Sequence, residues 1–189
     1  MFGPSAYKNA VNNKNGFLMV ITGPMGSGKT TELFRQLERV EIAKKKTMLF
    51  KPAKDDRDDG VRTHAGFSRK AIPVEKSEDI LKLLEDDASV VAIEEAQFFN
   101  DDICAVSRVL VARGINVIIT GLDLDSNGAP FGPMPLLLAH AEYVVKLQAV
   151  CVYCGADASK TKRKSSKKGQ ILVGGMDIYE PVCTRCHVK

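Results

Sequence analysis

Along the chain, short apolar runs alternate with stretches in which apolar residues recur every three or four positions. Phe17-Leu18-Met19-Val20-Ile21-Thr22, Thr47-Met48-Leu49-Phe50, Val90-Val91-Ala92-Ile93 and Ile115 to Thr120 read as buried strands. Between them, Leu33, Leu37 and Val40 share one helical face, Ile80, Leu83 and Leu84 a second, and Ile103, Val106 and Leu110 a third. Pro52 ends the second strand, and Gly114 suits the cap after the third helix. Strand and helix in regular succession predict an α/β fold, a mainly parallel sheet with helices on both faces and right-handed crossovers. Such sheets bind ligands beyond the carboxyl ends of their strands. Two stretches break the rhythm. Ala53 to Arg69 is a polar loop with too few apolar residues for a core element, and Gly121 to Pro135 is irregular but stiffened by proline.

The pattern divides the chain into a polar leader over residues 1–15, expected to be mobile, an α/β domain over 16–148 and a small appendage over 149–189. At 189 residues and 44% hydrophobic, the chain has material for an ordinary core. No apolar run approaches the roughly 20 residues of a membrane span, and no apolar signal region opens the chain, so a cytoplasmic location is the expectation. The net charge of +4 is mild, and much of the excess sits in one run from Lys160 to Lys168, so a nucleic-acid partner is not expected from charge alone.

Candidate chemistry starts at Gly23-Pro24-Met25-Gly26-Ser27-Gly28-Lys29-Thr30, which fits G-x-x-x-x-G-K-[ST] between the first strand and the first helix. Glycines let the backbone turn its N–H groups toward phosphate oxygens, and the helix beginning near Lys29 adds its positive end. Lys29 is placed to reach the β- and γ-phosphates and the Thr30 hydroxyl to ligate Mg²⁺. The strand ending at Ile93 runs into Glu94-Glu95-Ala96-Gln97-Phe98-Phe99. A carboxylate there belongs near Mg²⁺ in a P-loop enzyme, and a second can take a proton from an attacking hydroxyl. An arginine of the 53–69 loop, such as Arg57 or Arg62, is a candidate to neutralise charge on a transferring phosphoryl group.

Four of the five cysteines form two C-x-x-C pairs, Cys151/Cys154 and Cys183/Cys186, and the fifth, Cys104, lies alone in a helix as a packing residue. Two such pairs suit a closed, structural Zn²⁺ site, with His187 an alternative to Cys186 as the last ligand. The basic segment between the pairs is either a flap pinned at both ends over a ligand, a solvated hairpin or a nucleic-acid contact.

Taken together, Gly23 to Thr30, Lys51-Pro52 with Asp55-Asp56-Arg57, Glu94 to Phe99, Gly121-Leu122-Asp123, Pro130 to Pro133, Lys146 to Cys151, Gly174-Gly175 and Tyr179 resemble the zinc-containing type II thymidine kinases. The resemblance implies transfer of the ATP γ-phosphoryl group to the 5′-hydroxyl of thymidine. It assigns a general base to Glu95 and roles on the phosphates to Arg57 and Lys29. ATP and Mg²⁺ would be bound by Gly23, Pro24, Met25, Gly26, Ser27, Gly28, Lys29, Thr30, Thr31, Asp55, Glu94 and Gln97. Thymine would lie under a lasso loop among Met25, Phe98, Leu122, Phe131, Thr161, Val173, Gly174, Gly175 and Tyr179. Zinc falls to Cys151, Cys154, Cys183 and Cys186. Members are usually homotetramers inhibited by thymidine triphosphate (dTTP). Four positions depart from the pattern. Glu94 stands where Asp is usual, Ser126 and Asn127 where an aromatic and a basic residue are usual, and Gly26 where a bulkier residue is common. The competing readings are a kinase for another deoxynucleoside and a P-loop ATPase whose zinc ribbon holds nucleic acid.

Overall fold

A computed structural model describes residues 16–54, 60–63, 66–164 and 175–188. The expected leader, Asp55, Arg57, His64, Val173 and Gly174 lie outside the described residues.

The four apolar runs become β1 (Leu18–Thr22), β2 (Lys46–Pro52), β6 (Ala88–Ile93) and β7 (Asn116–Gly121). With β5 (Ile72–Val74) and β8 (Tyr143–Lys146) they form a six-stranded sheet in the order β5-β2-β6-β7-β1-β8. Every neighbouring pair in it is parallel. Because side chains alternate across a strand, the sheet divides its apolar residues between two layers. Val20, Phe50, Val91, Ile93, Val117 and Ile119 face α3 (Asp102–Ala112) and α4 (Met134–His140), where Ile103, Leu110 and Leu137 are buried. Ile21, Leu49, Ala92 and Ile118 face α1 (Lys29–Ile42), whose Leu33, Leu37 and Val40 close the opposite layer. The fold is therefore α/β with helices on both faces. Among the described residues no helix is long and apolar enough to cross a membrane.

Three details correct the expected elements. The 53–69 segment is not all loop: β3 (Gly60–Arg62) and β4 (Ser68–Lys70) pair as an antiparallel hairpin around the buried Val61. The second helix shrinks to one turn, α2 (Asp79–Lys82), with Ile80 buried and Leu83 exposed. The stretch read as irregular to Pro135 ends earlier, because Met134 already opens α4. That start has a proline at the helix N-terminus, where a missing N–H costs nothing.

The appendage is built from two small antiparallel pairs, β9 (Ala149–Val150) with β10 (Asp157–Ala158) and β11 (Lys160–Arg163) with β12 (Tyr179–Val182), closed by the one-turn α5 (Thr184–His187). Among the described residues its buried cluster consists of Cys151, Ala158, Val182 and Cys186. So few apolar groups cannot hold a unit of this size without a further constraint.

Candidate active site

The loop between β1 and α1 is shaped by glycine at its end. Gly28, the residue before the helix, sits at φ +84° with open space where a side chain would point, so the left-handed backbone alone demands glycine there. α1 then aims its N-terminus into the loop. Lys29 Nζ donates to the carbonyl oxygens of Gly23 and Pro24 at 3.2 and 2.9 Å, folding the ammonium over the mouth of the loop. Ser27 Oγ is buried within the loop without a hydrogen-bond partner among the described residues. An orphaned hydroxyl beside a helix N-terminus and an ammonium fits an anionic ligand with acceptor oxygens. Thr31 is exposed on α1.

The carboxylates arrive from the end of β6. Glu94, 6% exposed, accepts a hydrogen bond on Oε1 from the Thr30 hydroxyl. A buried carboxylate and a hydroxyl converging at the phosphate loop are the donor set a hard divalent cation such as Mg²⁺ takes. Glu95 occupies the left-handed region at φ +52°, uncommon for a residue with a side chain, and a 3₁₀ turn over Ala96–Phe98 follows. Gln97, 2% exposed, donates through Nε2 to the Glu95 carboxylate and accepts the Leu122 N–H on Oε1 at 3.0 Å. Its amide is thus directed at Glu95 and at the 121–133 loop.

At the end of the same 3₁₀ turn, Phe98 packs edge to face with Phe131, centroids 5.9 Å apart. The loop carrying Phe131 is internally fixed. Its Asp123 is buried and paired with Lys146 at 2.8 Å, and Asp125 Oδ1 accepts the N–H groups of Asn127 and Ala129, both at 2.9 Å. The appendage reaches this edge through β11. The buried Thr161 accepts the Met25 N–H on Oγ1 at 3.0 Å, which ties the strand directly to the phosphate loop. Tyr179, across from Arg163 in β12, is buried beneath that guanidinium at 5.5 Å, and its N–H is held by the Gly175 carbonyl at 3.1 Å.

Beyond this edge, one ligand atom from each of Cys151, Cys154, Cys183 and Cys186 lies within 4.8 Å of the other three. The sulfurs of Cys154 and Cys183 are 3.7 Å apart. Four sulfurs at about 2.3 Å from one tetrahedral zinc lie roughly 3.8 Å from each other, so the quartet can hold that ion. Hydrogen bonding from the Cys183 main chain holds the Cys151 thiol down at about 6. The Cys186 thiol, hydrogen-bonded by Cys183 and desolvated, is pushed up to about 12. In such a crowd the first thiolate opposes the last, and a dication removes the conflict. His187 turns away: its Nε2–H donates to the Ser126 carbonyl at 3.0 Å.

The thymidine kinase family model matches residues 16–187, most of the chain. The chain belongs to the thymidine kinase family. Membership makes it a kinase, a phosphoryl transferase with thymidine phosphorylation as its general activity. Of the residues that resemblance to these kinases singles out, the structure joins Thr30 with Glu94, Gln97 with both Glu95 and Leu122, Phe98 with Phe131 and Met25 with Thr161. Two contacts at the edge of this thymidine kinase fold escaped sequence reasoning. Met176 packs at Gly26, where a Cβ would lie 3.5 Å from its methyl carbon, and His187 reaches Ser126. The only sequence signal for Met176 is an apolar residue directly after a glycine pair.

Proposed function

We propose that the chain transfers the γ-phosphoryl group of ATP to the 5′-hydroxyl of thymidine, giving thymidine monophosphate in deoxynucleoside salvage. What supports this reading is the bond from the Met25 N–H to Thr161 Oγ1. It joins the appendage to the phosphate loop, beside the carboxylates at the end of β6. A nucleoside held under the appendage then meets the triphosphate end-on.

In this reading the loop from Gly23 to Thr30 and the Lys29 ammonium hold the triphosphate, through the loop N–H groups other than that of Met25, which is bonded to Thr161 (Pro24 has none). The Thr30 hydroxyl and Glu94 carboxylate are the groups that would hold Mg²⁺, which supplies charge neutralisation on the phosphates when bound. Thymine lies among Met25, Phe98, Leu122, Phe131, Thr161 and Tyr179, with the Val173-Gly174-Gly175 main chain as its hydrogen-bonding partner. The Glu95 carboxylate takes the proton of the 5′-hydroxyl as that oxygen bonds to the γ-phosphorus. The bond to the bridging oxygen breaks, its electron pair stays on ADP, and Arg57 with Lys29 offsets the charge on the moving group. Residues 16–148 form the kinase domain and 149–189 a lasso domain pinned by one structural zinc. Assembly as a homotetramer, inhibition by dTTP and a cytoplasmic location complete the proposal.

The test is γ-labelled ATP and Mg²⁺ with a panel of deoxynucleosides. Labelled thymidine monophosphate is the expected product. Label released as inorganic phosphate only when DNA is present would replace this reading with a nucleic-acid-stimulated ATPase. Glu95→Gln should fold and bind ATP while losing about three orders of magnitude or more in kcat. Near-parental turnover in that variant would remove Glu95 from the base role.

A further inference from the structure

We infer that Gln97 is a positioning residue: its buried amide holds the Glu95 carboxylate in register with the nucleoside side of the site, rather than serving the nucleotide itself. The inference rests on the reading of Glu95 as general base. Three observations carry it.

The first is chemical. A carboxylate only accepts hydrogen bonds and a backbone N–H only donates them. Gln97 stands between one of each, donating through Nε2 to Glu95 and accepting through Oε1 from Leu122 N–H. Only a side chain that carries both a donor and an acceptor on a rigid plane fits that position, and the two partners leave its amide a single orientation.

The second is spatial. Gln97 is 2% exposed, so water cannot stand in for either end of the amide. Two glycines seal the space around it. A Cβ on Gly121 would lie 2.8 Å from Gln97 Oε1, and one on Gly132 would overlap the Gln97 carbonyl oxygen. Gly121 thus closes on the side-chain amide and Gly132 on the Gln97 backbone, each by chain that bears no side chain of its own.

The third is conformational. Glu95 holds a left-handed backbone at φ +52°. That conformation is costly for a residue with a Cβ and persists only when neighbours over-determine it. The bond from Gln97, two residues on, is one such constraint. It fixes the carboxylate relative to Leu122, which belongs to the proposed thymine wall. A base placed to within a fraction of an ångström of a bound hydroxyl is worth far more in turnover than in affinity.

The experiment is a double-mutant cycle in the full-length protein. Gln97→Glu keeps the size of the side chain and the acceptor for Leu122 but turns the donor into a second carboxylate. Gln97→Met removes both bonds and serves as an independent second variant. Each is made alone and in the Glu95→Gln background, with melting curves and ATP-analogue binding to establish that it folds. Expected in the parental background is a loss of about 10- to 100-fold in kcat, with thymidine and ATP KM values within about threefold of parent. In the Glu95→Gln background either change should move kcat by less than about threefold, because the group it positions is gone. An equal kcat loss in both backgrounds, or a loss carried wholly by KM, overturns the inference and leaves the base reading standing. Near-parental kcat in Glu95→Gln alone overturns the base reading, and the inference with it.

Discussion

Replacing Thr161 by valine removes one hydroxyl and almost no volume. Thr161 is 3% exposed, opposite Pro181 in the β11–β12 pair, and its Oγ1 is the acceptor of the Met25 N–H at 3.0 Å. Valine leaves that N–H without its partner. A buried donor stranded in this way costs about 1–3 kcal/mol. Met25 is only half-buried, so water recovers part of the bond and the cost settles near 1–2 kcal/mol, or about 5- to 30-fold. The loss should appear in kcat/KM for thymidine, because the bond anchors the appendage to the phosphate loop and not the loop to its helix. Initial rates at saturating ATP and varied thymidine measure it. Thr161→Ser, which keeps the hydroxyl and loses the methyl, is the control. If Thr161→Val stays within about twofold of parent while Thr161→Ser falls further, the hydroxyl is not the link and the methyl's packing is.

Three further outcomes follow from the geometry. Elemental analysis should find one zinc per chain, and Cys154→Ser or Cys183→Ser should lose it with a fall in melting temperature; full zinc content in both variants would move the ligand set elsewhere. Gly132→Ala, at φ +49° and against the Gln97 carbonyl, should cost at least about 2 kcal/mol, whereas Gly66→Ala, at φ +88° with open space around it, bears only the backbone penalty of about 1–2 kcal/mol. Equal melting temperatures would discard the packing argument. Glu32 is raised by burial but lowered by more through hydrogen bonds from Arg35 and Gln36, so its net position lies below the usual 4.5. A carboxylate lowered in the folded state stabilises above its unfolded value and loses that contribution as pH falls through the folded one. The parent should therefore out-melt Glu32→Gln at neutral pH by a margin worth about 0.3–1 kcal/mol, and the margin should close below about pH 4.5. A margin that widens on acidification would reverse the sign of the interaction.

The central strands were legible because burial on both faces writes itself as an unbroken apolar run. Val90 to Ile93 and Val117 to Thr120 have no polar face to hide. The hairpin of β3 and β4 was not legible, since only Val61 is buried and Arg62, Ser68 and Lys70 are exposed. β8 escaped for a related reason: it is a short edge strand with Val144 open to solvent. The acids at the end of β6 could be picked out, because a carboxylate directly after a buried run is conspicuous. Their partners could not. The donor–acceptor pair Met25 and Thr161 is 136 residues apart in sequence, and no local pattern announces which hydroxyl will meet which amide. Likewise the periodicity around Gln97 says nothing of a bond to Leu122, 25 residues on.

Glu94 and Thr30 touch although the strands that lead to them are not neighbours: β7 lies between β6 and β1. The ends of β6 and β1 therefore lie two inter-strand spacings apart, about 9.5 Å, and Thr30 meets Glu94 from the first turn of α1. The shim in that gap is the end of β7, where Gly121 takes the Thr22 hydroxyl on its carbonyl at 2.9 Å and has no room for even a methyl group beside Met134. Loops on either flank can grow or shrink without altering this width. A thicker shim would part the acid from the hydroxyl. The spacing of the two strand ends at the reactive edge is thus held by a residue with no chemistry of its own.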